Sequence, residues 1–267
     1  MSSYTPHVAP PSQAGPPRKG VLRIPYGPGP QHFGDLRLPA SGPRPLVVIV
    51  HGGAYRNAYH LDLMDDLAED LLRRGFASWN IEYRRMGDPG AEWPGLFQDV
   101  AAAADRVVAM APEHGLDLGR VVVLGHSAGG HLALWLAGRW RLPDGDPLIA
   151  RPGALPVHGV VAVAPVSDLD RCFADRPDIR PLIRAEGRPS VDPYALLPLG
   201  VAQVVVHGVE DQSVAVAESR RYVAAAVAAG DPAALVELAG AEHFAPIRPD
   251  TPAWARVAEA VQDVAGA

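Results

Sequence analysis

The sequence predicts an α/β fold, a mostly parallel sheet with helices on both faces and antiparallel strands only near its start. Three observations predict it. β-rich runs alternate along the chain with segments of helical spacing. The run LVVIV at 46–50 is apolar without interruption, as a parallel strand buried on both faces requires. A β-branched run, VVV at 121–123, passes through a glycine-flanked serine straight into a helical pattern.

Residues 1–20 hold five prolines and read as a mobile arm ahead of one domain at 21–267. Short strands are expected at 21–24 and 33–38, parted by the turn-forming YGPGP, and the buried strand follows at 46–50. A helix at 60–74 is carried by Leu63, Leu67, Leu71 and Leu72 and stopped by Gly75. The alternation continues with strand 77–83, helix 93–110, strand 121–124, helix 128–139 and strand 157–164. An irregular stretch to 199 precedes strand 201–207, helix 214–229, strand 234–238 and a last helix at 252–264.

Composition narrows the function classes. With 48% apolar and 20% charged residues, the 267-residue chain has ample material for a core. Its net charge of −6 carries no long basic block, which argues against nucleic acid as a partner. Cys172 is the only cysteine, so neither an intrachain disulfide nor a cysteine metal cluster can form. The longest uncharged stretch, 121–138, contains two histidines, a serine and four glycines and is unsuited to a membrane span. The first twenty residues lack the apolar segment of a secretory leader, and the cytoplasm is the expected compartment.

Four motifs carry chemistry. In Leu124-Gly125-His126-Ser127-Ala128-Gly129-Gly130, a serine sits between strand and helix on a turn too tight for a Cβ at Gly125 or Gly129. Such a bend exposes the hydroxyl and places the Ala128 amide at a helix N-terminus, where an oxyanion is stabilised. A helix start with an ordinary N-cap serine is the plainer alternative. His51-Gly52-Gly53-Ala54-Tyr55 follows the buried strand and can supply further oxyanion donors from Gly52, Gly53 and Ala54, with His51 bracing the loop; an ordinary glycine turn would look similar.

A serine hydroxyl needs a base to take its proton and a carboxylate to orient that base. Val209-Glu210-Asp211-Gln212-Ser213 follows a strand, where α/β sites lie, and Asp211 is the first candidate for the acid. Asp168, in VSDLD after strand 157–164, competes with it. His243, in Gly240-Ala241-Glu242-His243-Phe244, is the only histidine downstream of Asp211 and the expected base. His126 and His131 are five residues apart, which does not make a metal-ligand face, and no metal is expected.

With GHSAGG, HGGAY, HGVEDQSV and GAEHF in this order, the chain resembles the α/β-hydrolase superfamily over about residues 20–265. Through FGDLRLP, HGGAYRN, NIEYRR and GHSAGGHLALWLAG it is similar to the esterase/lipase-like group that includes kynurenine formamidases (arylformamidases) and BD-FAE enzymes. The resemblance implies an eight-stranded sheet, a Ser127–His243–Asp211 triad and no cofactor. Tyr55 stands where the formamidases favour Trp, and Ala54 replaces the third glycine of the HGGG found in hormone-sensitive-lipase-like esterases.

The expected activity is hydrolysis of a small ester or amide through an acyl-enzyme on Ser127. The alternatives are an arylformamide hydrolase, a carrier-acyl thioesterase and a non-catalytic ligand-binding member of the fold. The stretch 167–199, about thirty residues with five prolines, leaves room only for a short lid or none, and so for a small pocket. Tyr55, Trp93, Phe173 and Phe244 are candidate walls, against the alternative of plain core packing. The expected partner is a small-molecule substrate; oligomeric state is not legible.

Overall fold

A computed structural model describes residues 14–40, 44–183 and 190–266. Most of the N-terminal arm thus lies outside the described residues. Its remaining stretch, 15–20, is exposed and reaches the body through Arg18, whose guanidinium meets Asp66 at 2.7 Å and Asp65 at 3.3 Å.

One eight-stranded sheet runs in the order β1-β2-β4-β3-β5-β6-β7-β8. Its strands are β1 (Leu22–Pro25), β2 (Phe33–Arg37), β3 (Arg44–Val50), β4 (Ala77–Ile81), β5 (Leu116–His126), β6 (Gly159–Val163), β7 (Ala202–Gly208) and β8 (Ala233–Leu238). β1 pairs antiparallel with β2 and β2 with β4; every other pairing is parallel. The helices are α1 (Asp65–Arg73), α2 (Gly95–His114), α3 (Ala128–Gly138), α4 (Leu169–Asp175), α5 (Arg180–Ile183), α6 (Val216–Ala228) and α7 (Pro252–Ala265).

The uninterrupted apolarity of β3 is explained by its two faces. Leu46, Val48 and Val50 pack with residues of α2 and α3, whereas Val47 and Ile49 pack with residues of α1 and α7. All five side chains are fully buried. α3 is buried along its whole length, which is why its sequence, AGGHLALWLAG, is apolar on every face.

The elements differ from the expected ones mainly at their ends. β5 begins five residues earlier than its β-branched run, because its pairing with β3 jumps from Asp117 to Val121. The residues between bulge out, and the Asp117 carboxylate accepts from the Gly119 amide and from Arg120. α2 continues through Pro112 to a left-handed Gly115 cap. The stretch read as irregular contains α4 and α5, elements of 7 and 4 residues, too short to show a 3.6-residue period.

Candidate active site

Every parallel strand of an α/β sheet points its C-terminal end to the same edge, and the four motifs sit on that edge after β3, β5, β7 and β8. At the end of β5, Ser127 has φ 56° and ψ −119°, a strained conformation for a non-glycine residue. Its amide donates to the Val163 carbonyl at 2.8 Å, and its own carbonyl accepts from His131 and Val166, each at 3.2 Å. A Cβ on Gly125 would overlap the Gly129 carbonyl, and one on Gly129 would overlap the carbonyls of Val50 and His51. The glycines are therefore what lets strand, turn and helix fold back on one another. Ala128 opens α3 directly behind the serine.

Asp211 and His243, the residues expected as acid and base, lie in contact. His243 Nδ1 lies 2.6 Å from Asp211 Oδ2, and since a carboxylate oxygen accepts, Nδ1 carries the hydrogen. Nε2 of His243 is left as the basic nitrogen. The other carboxylate oxygen of Asp211 accepts from the amides of Ser213, at 2.7 Å, and Val214, at 2.9 Å. Burial would raise this carboxyl, but the hydrogen bonds from His207, His243 and the Val214 amide outweigh it and hold Asp211 well below the usual carboxylate range.

Two backbone contacts bring the loops of Asp211 and His243 together. A Cβ on Gly208 would overlap the Ala241 carbonyl, so only glycine permits the approach of the segments that leave β7 and β8. There the Val209 amide donates to Leu238 and the Glu210 amide to Ala241. His126, immediately before the serine, donates from Nε2 to the His243 carbonyl at 3.0 Å. The His126 ring is fully buried, and burial together with the neighbouring His243 lowers its pKa to about 3.

The HGG loop abuts the serine. A Cβ on Gly52 would stand 2.6 Å from the His126 carbonyl oxygen and 3.1 Å from Cβ of Ser127. Gly53, Ala54 and Tyr55 all have positive φ, at 109°, 52° and 57°. Three successive left-handed residues turn the chain sharply beside Ser127. His51 braces this loop: its Nδ1 lies 2.8 Å from the Gly52 carbonyl and its Nε2 3.0 Å from Glu82 Oε1.

The sequence reading did not assign roles to Glu82, Tyr83 and His207. Glu82, fully buried, also meets Arg85 at 2.8 Å and the amides of Leu61 and Tyr83. Burial would raise its carboxyl, yet His51, His60 and Arg85 hold it well below the usual carboxylate range. Tyr83 stacks on His51 and donates to its carbonyl at 2.6 Å. The signal was the charged NIEYRR after an otherwise apolar strand, since a carboxylate there must be paired to be buried. His207 lies 3.2 Å from Asp211 Oδ2 at the end of VVVHG.

Asp168, the competing acid, caps α4 by accepting from the Arg171 amide and pairs with Arg221 at 3.0 Å. Glu210 is exposed. Of the candidate walls, Tyr55 and Phe173 are core residues, each 1% exposed, and they offer no open face to a ligand. The Tyr55 hydroxyl donates to His131 Nδ1 at 2.8 Å, because His131 Nε2 gives its hydrogen to the Val191 carbonyl. Trp93 is half-buried, its amide bonded to the Pro181 carbonyl. Phe244, 37% exposed, lies against the rings of His126 and His243 and borders a groove of about 770 Å³ with Leu63 and Ile247. Among the described residues no helix is long and apolar enough to cross a membrane.

Comparison with known proteins gives consistent neighbours. The BD-FAE family model matches residues 35–175, which contain the serine and the HGG loop. The chain is 32% identical over 112 residues to a probable isoprenylcysteine alpha-carbonyl methylesterase of Arabidopsis thaliana, covering 41% of this chain and 23% of that protein. It is 30% identical over 127 residues to Esterase LipI of Mycobacterium tuberculosis, covering 47% of this chain and 39% of that protein. The matched part thus spans less than half of either relative. Among solved structures, Thermogutta terrifontis esterase 2 phosphonylated by sarin superposes with a TM-score of 0.80 at 22% identity, covering 93% of this chain and 95% of that one. Other structures of that esterase hold propionate or butyrate. The likeness shows the fold, an α/β-hydrolase architecture.

Proposed function

The chain belongs to the BD-FAE family, and on that premise we propose that it is a serine hydrolase of small carboxylic esters. The observation that carries the reading is the His243–Asp211 bond, at 2.6 Å, with the His243 ring 4.6 Å from that of His126, the residue before a serine in a strained strand-to-helix turn.

Ser127 Oγ attacks the ester carbonyl carbon as His243 Nε2 takes its proton. Asp211 fixes the ring's tautomer and stabilises the imidazolium. The carbonyl oxygen becomes an oxyanion held by the Ala128 amide and amides of the HGG loop, Gly53 or Ala54. Collapse of the intermediate breaks the bond to the alcohol oxygen, which leaves with the proton from His243. Water, deprotonated by the same histidine, then attacks the acyl-enzyme and frees the carboxylic acid and Ser127.

Preference for a short acyl group is supported by the small size of the segment between β6 and β7, and by an esterase of the same fold that holds propionate or butyrate. No observation at the site favours the arylformamide or carrier-acyl alternatives.

The test is intact-mass spectrometry after incubation with a fluorophosphonate, on wild type and Ser127→Ala. One adduct on the wild type and none on the variant supports the reading, as does hydrolysis of p-nitrophenyl acetate by the wild type alone. A folded wild type with neither adduct nor turnover overturns it in favour of a ligand-binding protein.

A further inference from the structure

Asp211 Oδ2, the oxygen that holds His243, has a second imidazole beside it. His207 Nε2 lies 3.2 Å from that oxygen and 3.0 Å from the Val214 carbonyl. Both neighbours are acceptors, so Nε2 must carry the hydrogen. The far nitrogen, Nδ1, is 2.7 Å from the Ser219 hydroxyl, which donates to it when the ring is neutral. His207 and Ser219 are both fully buried, on β7 and α6, and the tautomer is fixed from both sides.

We infer that His207 is a positioning residue for catalysis, holding the Asp211 carboxylate through Nε2–H···Oδ2 and sharing the oxygen that orients His243. The inference rests on the esterase reading above and places His207, backed by Ser219, behind its triad, in the order Ser219, His207, Asp211, His243, Ser127. Four N–H groups converge on Asp211: two amides on Oδ1 and two imidazoles on Oδ2. The amides fix the position of one oxygen, and the His207 donor opposes rotation of the other away from His243. It also draws electron density from Oδ2 and so tempers the basicity that Asp211 confers on His243. A purely structural role for His207, through the Val214 carbonyl alone, would leave that basicity untouched.

The charged and titratable surroundings are few. His126, on β5, faces His243 at 4.6 Å between ring centroids and is neutral at working pH. Glu237, paired with His207 in the β7–β8 register, is engaged by Arg220, and Glu210 and Glu242 in the flanking loops are exposed. None of them donates to Oδ2.

The experiment measures kcat and KM for a short p-nitrophenyl ester from pH 4.5 to 9 in wild type, His207→Phe and His207→Gln, with active sites counted by fluorophosphonate titration. Loss of the donor in His207→Phe raises the basicity of His243. The acid limb of kcat/KM moves up by about half a pH unit or more, and kcat falls about tenfold with little change in KM. His207→Gln places an amide N–H near the position of Nε2 and returns the limb to within about 0.2 units of wild type. An active wild type whose acid limb coincides with that of His207→Phe overturns the inference and leaves the esterase reading standing, as does a His207→Gln variant no closer to wild type than His207→Phe. A wild type that neither hydrolyses nor labels overturns both. Imidazole ¹⁵N shifts of the unmutated protein give a reading independent of variant folding: a protonated Nε2 and bare Nδ1 on His207 support the inference, and the opposite tautomer overturns it.

Discussion

His126 Nε2 donates to the backbone carbonyl of His243 at 3.0 Å, so the residue before Ser127 grips the main chain of the proposed base. The bond joins the end of a central strand to the loop after an edge strand. In His126→Ala that buried carbonyl loses its donor and the His243 ring loses its neighbour at 4.6 Å. The expected result is a loss of about 1–3 kcal/mol of stability and a fall in kcat of about 10–100-fold from misplacement of the base. His126→Gln, which keeps an N–H near the Nε2 position, retains most of both. Thermal melts with steady-state kinetics check the pair.

The strain at Ser127 separates stability from activity at one position. Ser127→Ala keeps a Cβ at φ 56°, whereas Ser127→Gly does not. Both variants lose turnover by at least about ten-thousand-fold. Ser127→Gly is expected to be more stable than Ser127→Ala by about 1 kcal/mol in urea unfolding. Equal midpoints for the two would show that the elbow holds no strain.

Asp211→Asn and Asp168→Asn part company in the same assay. Asp211→Asn loses the charge that fixes the His243 tautomer, and kcat falls by about a thousandfold or more with the fold intact. Asp168→Asn keeps a side chain able to cap α4 and loses only its pair with Arg221, a half-exposed arginine, so turnover stays within about twofold. A large loss in Asp168→Asn would reassign the acid.

Acid should unfold the protein through its buried histidines. Burial lowers the pKa of His131 to about 4 and that of His126 to about 3, against 6.5 for the free side chain. Between those values the unfolded chain binds protons that the folded chain refuses. Stability therefore rises with pH through the window, and it is lost as pH falls below about 6.5, with a slope of up to about 3 kcal/mol per pH unit from two groups. Asp211, whose folded pKa is depressed, adds a further loss at lower pH, once its unfolded form protonates. Urea midpoints from pH 7 to 4 check the sign; a midpoint that is flat or rises on acidification contradicts it. The single substitution His131→Phe, at the cost of the Tyr55 bond, should flatten part of the slope.

The order of strands and helices was legible because each has a local pattern: five consecutive apolar residues in β3, and leucines at helical spacing along α1 with Gly75 to stop it. The turn at Ser127 was legible for the same reason, since Gly125 and Gly129 are needed where the backbone closes on itself. Tyr55 and Phe173 were not, because an aromatic side chain reads alike whether it lines a pocket or fills the core, and His131 alone decides the matter for Tyr55. Glu82 and His207 stayed unassigned because their partners come from distant segments: Glu82 is braced to His51, and His207 to Ser219 of α6. The ends of β5 depended on a bulge opposite Pro45, which no periodicity signals.

Among the described residues β8 closes one side of the sheet and pairs only with β7. His243 therefore follows an edge strand, held by a ladder on one side only, while Ser127 is rooted in a strand clasped from both sides. Fraying would start at that margin, and the first part of the reaction machinery to come adrift would be the proton acceptor. In hydrogen exchange the amides of β8 should open well before those of β5, and heating should end the proposed turnover while the far-UV signal of the helices is still whole.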